Sequence, residues 1–410
     1  MTKKWVECKF NLTRWSNKYD FYSLKSEIKE LCSLKVRIGI VLYPTFGGSG
    51  VIATELGKSL AKKGHQVHFI SYEQPVRFEH FSENIFFHEV SVSKYPLFRF
   101  PPYELALTGK IVDLVKYEKL DLLHVHYAIP HAAAAIMAKN ILKSSAIQLP
   151  IITTLHGTDI TLIGRDKMYT PVISHCIEHS DVVTTVSESL KEDTIDYFNV
   201  KRDITVVPNF LDLNRFKKME NNALKDWVAP QNEHIIIHAS NFRKVKRVQD
   251  VIKVFCKIRE KLPAKLLLIG DGPERKNLEN KSRQNNQADN IKFLGKQNKI
   301  EEILSVGDLF LITSETESFG LAALEAMACE VPVICTNTGG QKEVMLDGRT
   351  GYCCSVGDID GMTEKALSLL NDPHKMANFQ KDARKQVQKF DQKEIIPSYE
   401  KLYQKLLNNS

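Results

Sequence analysis

Short apolar runs, each closed by glycine or a polar turn, alternate with helical stretches along most of this chain and fall into two series. The first begins at Val36, where V-R-I-G-I-V-L-Y reads as a strand and P-T-F-G-G-S-G-V turns into a helix over about Ser49–Lys63. Gly64 closes that helix and H-Q-V-H-F-I-S follows as a strand, completing a βαβ unit. Further strands are expected at Ile85–Val92, Leu120–His126, Pro150–Leu155, Asp181–Val186 and Ile204–Val207. The second series opens with I-I-I-H-A-S-N after His234 and a helix over Val248–Lys261. It continues through A-K-L-L-L-I-G-D-G, N-I-K-F-L-G, D-L-F-L-I-T, V-P-V-I-C-T and T-G-Y-C-C. The polar segment Lys217–Asn232 reads as the linker between the two series. The pattern predicts an α/β protein of two doubly wound, Rossmann-like halves, 36–215 and 216–390, with a C-terminal helix over 391–410 packing back on the first. Ligands of such sheets bind beyond the carboxyl ends of the strands, which is where the glycine-rich loops fall. Residues 1–35 lack a sustained period, read as an extension of unknown role with one short helix over Ser26–Leu34, and receive no chemistry.

A chain of 410 residues exceeds what one core usually serves, in line with two domains. No apolar run is long enough to span a membrane, and the charged N-terminus does not resemble a secretory signal, so no integral membrane contact is expected. The eight cysteines form neither a zinc spacing nor a disulfide framework, and a reducing cytoplasm is the simplest reading. A net charge of +7, spread along the chain, suits an anionic small substrate better than nucleic acid.

The stretch Glu315–Cys329, E-T-E-S-F-G-L-A-A-L-E-A-M-A-C, carries the strongest chemical signal. It leaves the strand D-L-F-L-I-T and opens a helix rich in Ala, Leu and Met. Ser318 is expected as the N-cap, and Gly320 admits close approach of the backbone to a ligand. The free amides of Phe319, Gly320 and Leu321 would then face a diphosphate. Glu317 and Glu325 flank that anion site, Glu325 about one helical turn along the axis from its phosphate-facing end, and carboxylates in such a place accept from sugar hydroxyls.

Other strand ends add to this. Arg243 and Lys246 in S-N-F-R-K-V-K-R are expected to reach the diphosphate, and Gly272 in G-D-G-P-E to let backbone approach a base or phosphate. Gly48 and Ser49 sit in a glycine loop at a helix start, although the loop does not match G-x-G-x-x-G. His156 in T-T-L-H-G-T-D leaves a strand towards the other half and suits a sugar hydroxyl. His124 and His126 share one strand face, but no carboxylate or cysteine pattern accompanies them, so no metal is expected.

These motifs, with G-G-x-x-E-V, resemble the retaining GT-B glycosyltransferases of family 4, relatives of glycogen and sucrose synthases. The first-half motifs Y-P-T-F-G-G-S-G-V, F-H-E-V-S-V, P-P-Y-E-L-A-L, L-H-V-H-Y-A-I-P-H-A and T-T-L-H-G-T-D-I-T are similar to the branch of that family that glycosylates L-malate in bacillithiol biosynthesis, over about residues 36–405. The resemblance implies two domains facing across a cleft. It further implies transfer of N-acetylglucosamine from UDP-N-acetylglucosamine, a co-substrate, to the hydroxyl of L-malate, with retention and without cofactor or metal. Glu325 would bind the ribose, and Glu317 the donor sugar. Arg243 and Lys246, with the Gly320 and Leu321 amides, would hold the diphosphate, and His156 would lie near the reacting carbon. Malate would lie near Ser49, Lys94, Tyr127 and Thr154. The partners implied are these two small substrates, with a homo-oligomer left open. Glu330, and Gln341 with Lys342, depart from the family pattern beside the donor loops. The alternatives are a family 4 enzyme acting on a lipid or other hydroxylated acceptor, a UDP-sugar 2-epimerase, and a non-catalytic nucleotide-sugar binding protein. The intact glutamate pair with Arg243 and Lys246 argues against the last.

Overall fold

The computed structural model describes residues 35–78, 82–92 and 99–408. The expected Ser26–Leu34 helix, and Lys94 of the expected acceptor set, lie outside the described residues. Met1–Val36 and Arg37–Ser410 are separate units, and the elements below belong to the second.

The first sheet contains β1 (Arg37–Val41), β2 (Gln66–Ser71), β3 (Ile85–Glu89), β4 (Leu122–His126), β5 (Ile151–Leu155), β6 (Val182–Thr185) and β7 (Thr205–Val206). All are parallel, in the order β3-β2-β1-β4-β5-β6-β7. The second contains β8 (His234–Ala239), β9 (Ala264–Ile269), β10 (Ile291–Gly295), β11 (Leu309–Ile312), β12 (Val333–Thr336) and β13 (Gly351–Cys354). It is also parallel, in the order β10-β9-β8-β11-β12-β13. Helices cover the faces, so every residue of β4, β5, β11 and β12 is buried. That is why these strands read as continuous apolar or β-branched runs rather than alternating ones. The strand order reverses between β1 and β4 and between β8 and β11, and these switch points open the crevices where ligands bind.

Two local outcomes differ from the sequence reading. The first helix starts at Gly48, one residue early, behind an extended Gly47. The expected linker holds a helix, Asn222–Val228, whose N-terminus is capped by Asn221 Oδ1 accepting from Leu224 N at 3.1 Å. Burial of Val228 and Ala229 against the core keeps that polar segment ordered. The C-terminal helix Gln392–Asn408 returns to the first sheet, where Tyr403 OH meets His124 Nδ1 at 2.7 Å and Ser59 Oγ donates to Gln392 Oε1 at 2.9 Å.

The two halves touch through polar contacts. Glu343 accepts from the Glu188 and Ser189 amides, both at 2.9 Å, at the start of the Glu188–Phe198 helix. Ser187 Oγ donates to the Ser318 carbonyl at 2.6 Å. Arg215 pairs with Glu301 at 2.8 Å and with Glu55 at 3.9 Å.

Candidate active site

The loop after β11 leads into the helix Leu321–Ala328, and its N-cap is Gly320 at φ +93°, not Ser318. A side chain here would be strained, and its Cβ would lie 2.9 Å from Gln341 Cγ. The free amides of the helix are therefore those of Leu321 and its successors, while Leu324 N already bonds the Gly320 carbonyl at 3.1 Å. Ser318 instead spans the two halves: its carbonyl takes the Ser187 hydroxyl, and its Oγ occupies the space where Gly157 would carry a Cβ. The ring of Phe319 packs edge-on against Phe390, with centroids 5.7 Å apart, so it anchors the loop in the core.

Two cavities of about 440 and 490 Å³ meet at this loop, both in the range of small-molecule sites. The first lies between the Thr45–Gly48 turn and the loops Ser240–Arg243 and Gly270–Pro273, and reaches Glu325. Gly272 lines it, and a Cβ there would sit 2.4 Å from the Asn241 carbonyl oxygen. The second is bordered by Tyr43, Ser49, Tyr127, His156, Asp159 and Asn209. Gly48, Arg243, Lys246, Glu317, Gly320 and Leu321 line both.

The shared wall is strongly charged. Lys246 Nζ donates to Glu317 Oε1 at 2.6 Å, and Ser314 Oγ donates to the same oxygen at 2.7 Å. Arg243 is exposed beside them and, among the described residues, makes no ion pair. Glu325 is buried, and desolvation raises its pKa against the opposing pull of Arg77, whose Nη2 lies 3.5 Å away. Arg77 was not legible as a site residue. It is a lone arginine in the β2–β3 segment, and only the approach of the two halves brings it to Glu325.

His156 is 9% exposed and lines the second cavity. Its Nε2 bonds His126 Nδ1 at 2.8 Å, which leaves Nδ1 for the cavity. Burial, then the neighbouring His131, lowers its pKa to about 3, so the imidazole is neutral at ordinary pH. Asp159, three residues on, was overlooked. Its carboxylate accepts from Ala128 N at 2.9 Å and Gly157 N at 3.2 Å, holding the turn that presents His156. Burial raises its pKa to about 6, with those amides pulling the other way. The signal was present in H-G-T-D, because Asp after a Gly turn commonly bonds nearby amides.

Of the expected acceptor residues, Ser49 and Tyr127 adjoin one another, with Tyr127 OH donating to Ser49 Oγ at 2.6 Å. Thr154 does not join them. It is fully buried within β5, lines neither cavity, and its Oγ1 bonds His124 Nε2 and Thr184 Oγ1, both at 2.7 Å. A strand covered on both faces gives a hydroxyl inside it partners within the sheet instead of a ligand. Among the described residues no group of three or more His, Cys, Asp or Glu is placed to hold a metal ion. None of their helices is long and apolar enough to cross a membrane.

Residues 46–215 match the family model described as Glycosyltransferase Family 4, and residues 219–386 the one described as Glycosyl transferases group 1. The chain is 46% identical to N-acetyl-alpha-D-glucosaminyl L-malate synthase of Bacillus anthracis, over 92% of this chain and 98% of that one. It is 26% identical to an uncharacterized glycosyltransferase of Methanocaldococcus jannaschii, over 91% of this chain and 99% of that one. In fold it resembles sucrose-phosphate synthase from Thermosynechococcus elongatus (TM-score 0.74, 21% identity, 92% of this chain and 100% of that chain). It also resembles Anabaena HepE in complex with UDP and glucose (TM-score 0.76, 18% identity, 92% and 100%). With its two doubly wound sheets and its charged wall between two cavities, the chain belongs to the GT-B glycosyltransferase family that includes the Bacillus anthracis synthase.

Proposed function

We propose that this enzyme transfers N-acetylglucosamine from UDP-N-acetylglucosamine to the hydroxyl of L-malate, with retention at the anomeric carbon, the first step of bacillithiol biosynthesis. The observation that carries the reading is the wall common to both cavities, where Arg243, Lys246, Glu317 and the helix start at Gly320 come together. A diphosphate at this wall would meet two cations and free helix amides, which stabilise charge as the nucleotide departs. The nucleoside then extends into the first cavity towards Gly272 and Glu325, and the acceptor occupies the second beside Ser49 and Tyr127. The sugar lies at their junction, within reach of Glu317 and His156. The relative at 46% identity, named as an N-acetyl-alpha-D-glucosaminyl L-malate synthase, supports the choice of sugar and acceptor.

The chemistry asked of the side chains is positioning and charge stabilisation. Glu317 is already tied to Lys246 and Ser314, which suits it to accept a sugar hydroxyl and not to attack. The neutral imidazole of His156 suits a hydrogen bond, and its low pKa makes it a poor base. The acceptor's proton passes to the departing phosphate oxygen as the new glycosidic bond forms on the same face. With Arg243 and Lys246 supplying positive charge at the diphosphate, the reaction requires no metal.

The test is UDP release from UDP-N-acetylglucosamine with and without L-malate, in the presence of EDTA. Malate-dependent release, with the glycoside identified by mass spectrometry, is the expected result. Release abolished by EDTA would overturn the metal-free mechanism, and release indifferent to malate would overturn the acceptor.

A further inference from the structure

Among the described residues, Arg77 is the one strongly buried cation at the first cavity, with its side chain 8% exposed and Glu325 its ion-pair partner. The Nη2 to carboxylate distance of 3.5 Å is longer than a charge-assisted hydrogen bond, so the pair is loosely closed. Neighbouring acids do not relieve this, because Glu301 and Glu55 are engaged by Arg215. The guanidinium lies over the Phe216 ring, 5.7 Å from its centroid, and Lys58 Nζ donates to the Arg77 carbonyl at 3.3 Å. Side chain and backbone are thus both held in place.

We infer that Arg77 completes the ribose site from the opposite half of the molecule, its guanidinium and the Glu325 carboxylate together holding the 2′- and 3′-hydroxyls of the donor nucleoside. The inference rests on the proposed placement of a nucleoside diphosphate in the first cavity. Each hydroxyl has a hydrogen to give and lone pairs to receive, so a vicinal diol answers a carboxylate and a guanidinium at once. The pair carries no net charge, which favours a neutral polyol over a phosphate. Position agrees. Glu325 is four residues beyond Leu321, about 6 Å along the helix from the anion-facing start, one step from diphosphate to ribose. Because Arg77 precedes β3 of the first sheet and Glu325 follows β11 of the second, a bound ribose bridges the halves, so nucleotide binding itself draws the cleft closed.

Calorimetric titration of the full-length enzyme with UDP and with 2′,3′-dideoxyuridine diphosphate tests this, using wild type, Arg77→Ala and Arg77→Lys, with thermal unfolding as a check on folding. Wild type should prefer UDP by at least tenfold. Arg77→Ala should lose about 10- to 100-fold in UDP affinity and bind the dideoxy nucleotide almost as wild type does, so that the preference collapses. Arg77→Lys keeps the charge and loses the fork, and should fall between; it decides the matter if the alanine variant does not fold. An undiminished preference for UDP in the folded variants would overturn the assignment. So would equal weakening towards both nucleotides, or tighter UDP binding by Arg77→Ala, which would make Arg77 a plug. Failure of wild type to bind UDP at all would overturn the proposed donor site itself, and would be seen before any variant is made.

Discussion

Lys246 and Glu317 show how a site residue is defined by its partners. In isolation Lys246 is one cation in a basic turn; in the fold its ammonium sits 2.6 Å from Glu317, on the wall common to both cavities. The proposed reaction needs that ammonium beside a phosphate, and it also neutralises a half-buried carboxylate. Lys246→Ala should therefore lower kcat by at least about tenfold, the scale of one lost charge-assisted contact. Steady-state UDP release checks this, and an unchanged kcat would remove Lys246 from the mechanism. Thr154 is the opposite case: its residue type suited a malate site, but its place inside β5 commits its hydroxyl to His124 and Thr184.

At the scale of elements, the helix Leu321–Ala328 has unusual residues beyond both ends. Its N-cap is the left-handed Gly320, which turns the amides towards the cavities. At its C-terminal end Glu330 adopts φ +61°, in the position where helices favour glycine, while its amide and that of Val331 bond the Met327 and Ala326 carbonyls, each at 3.0 Å. A side chain in that conformation costs about 1–2 kcal/mol, partly offset by the greater freedom of an unfolded glycine. Glu330→Gly should stabilise the protein by about 0.5–1 kcal/mol, read as a higher midpoint in urea with an unchanged m-value. This departure from the family pattern is then a matter of stability, because Glu330 lines neither of the two cavities.

At the scale of the whole molecule, buried histidines decide the response to acid. His124, His126, His131, His156 and His238 are all buried, and burial lowers the pKa of each: to about 3 for His124 and His156, and about 4 for His131 and His238. Below pH 6.5 the unfolded chain binds protons at these sites that the folded chain refuses, so stability present above that pH is lost as pH falls towards 4. Asp159, raised to about 6, acts in the opposite sense between about pH 4 and 6, and Glu325 and Asp193, also raised, act in that same sense, but these carboxyls are outnumbered by the histidines. The net expectation is a loss of several kcal/mol between pH 6.5 and 4.5, at about 1.4 kcal/mol per pH unit for each uncompensated site. Chemical denaturation at a series of pH values measures it, and a flat profile would mean that these histidines accept protons in the folded state.

The sequence by itself determined the two parallel sheets and the loop that leads from Glu315 into the helix Leu321–Ala328. A strand buried on both faces must be a continuous apolar run, and a glycine loop between strand and helix must fall at a carboxyl end, so both leave local marks. Glu317, Glu325, Arg243, Lys246 and His156 were legible as residues that line the cavities because each lies beside such a mark. Other features depended on contacts between segments far apart in the chain: the cap at Gly320, the withdrawal of Thr154, the Glu343 contact with the Glu188–Phe198 helix, and the meeting of Arg77 with Glu325. Arg77 and Glu325 are 3.5 Å apart in space, yet one lies in a loop of the first half and the other in a helix of the second, and no periodicity along the chain encodes that distance. Local pattern fixes which elements form, whereas the pairing of charges across the cleft is settled only when two independently organised halves are packed together.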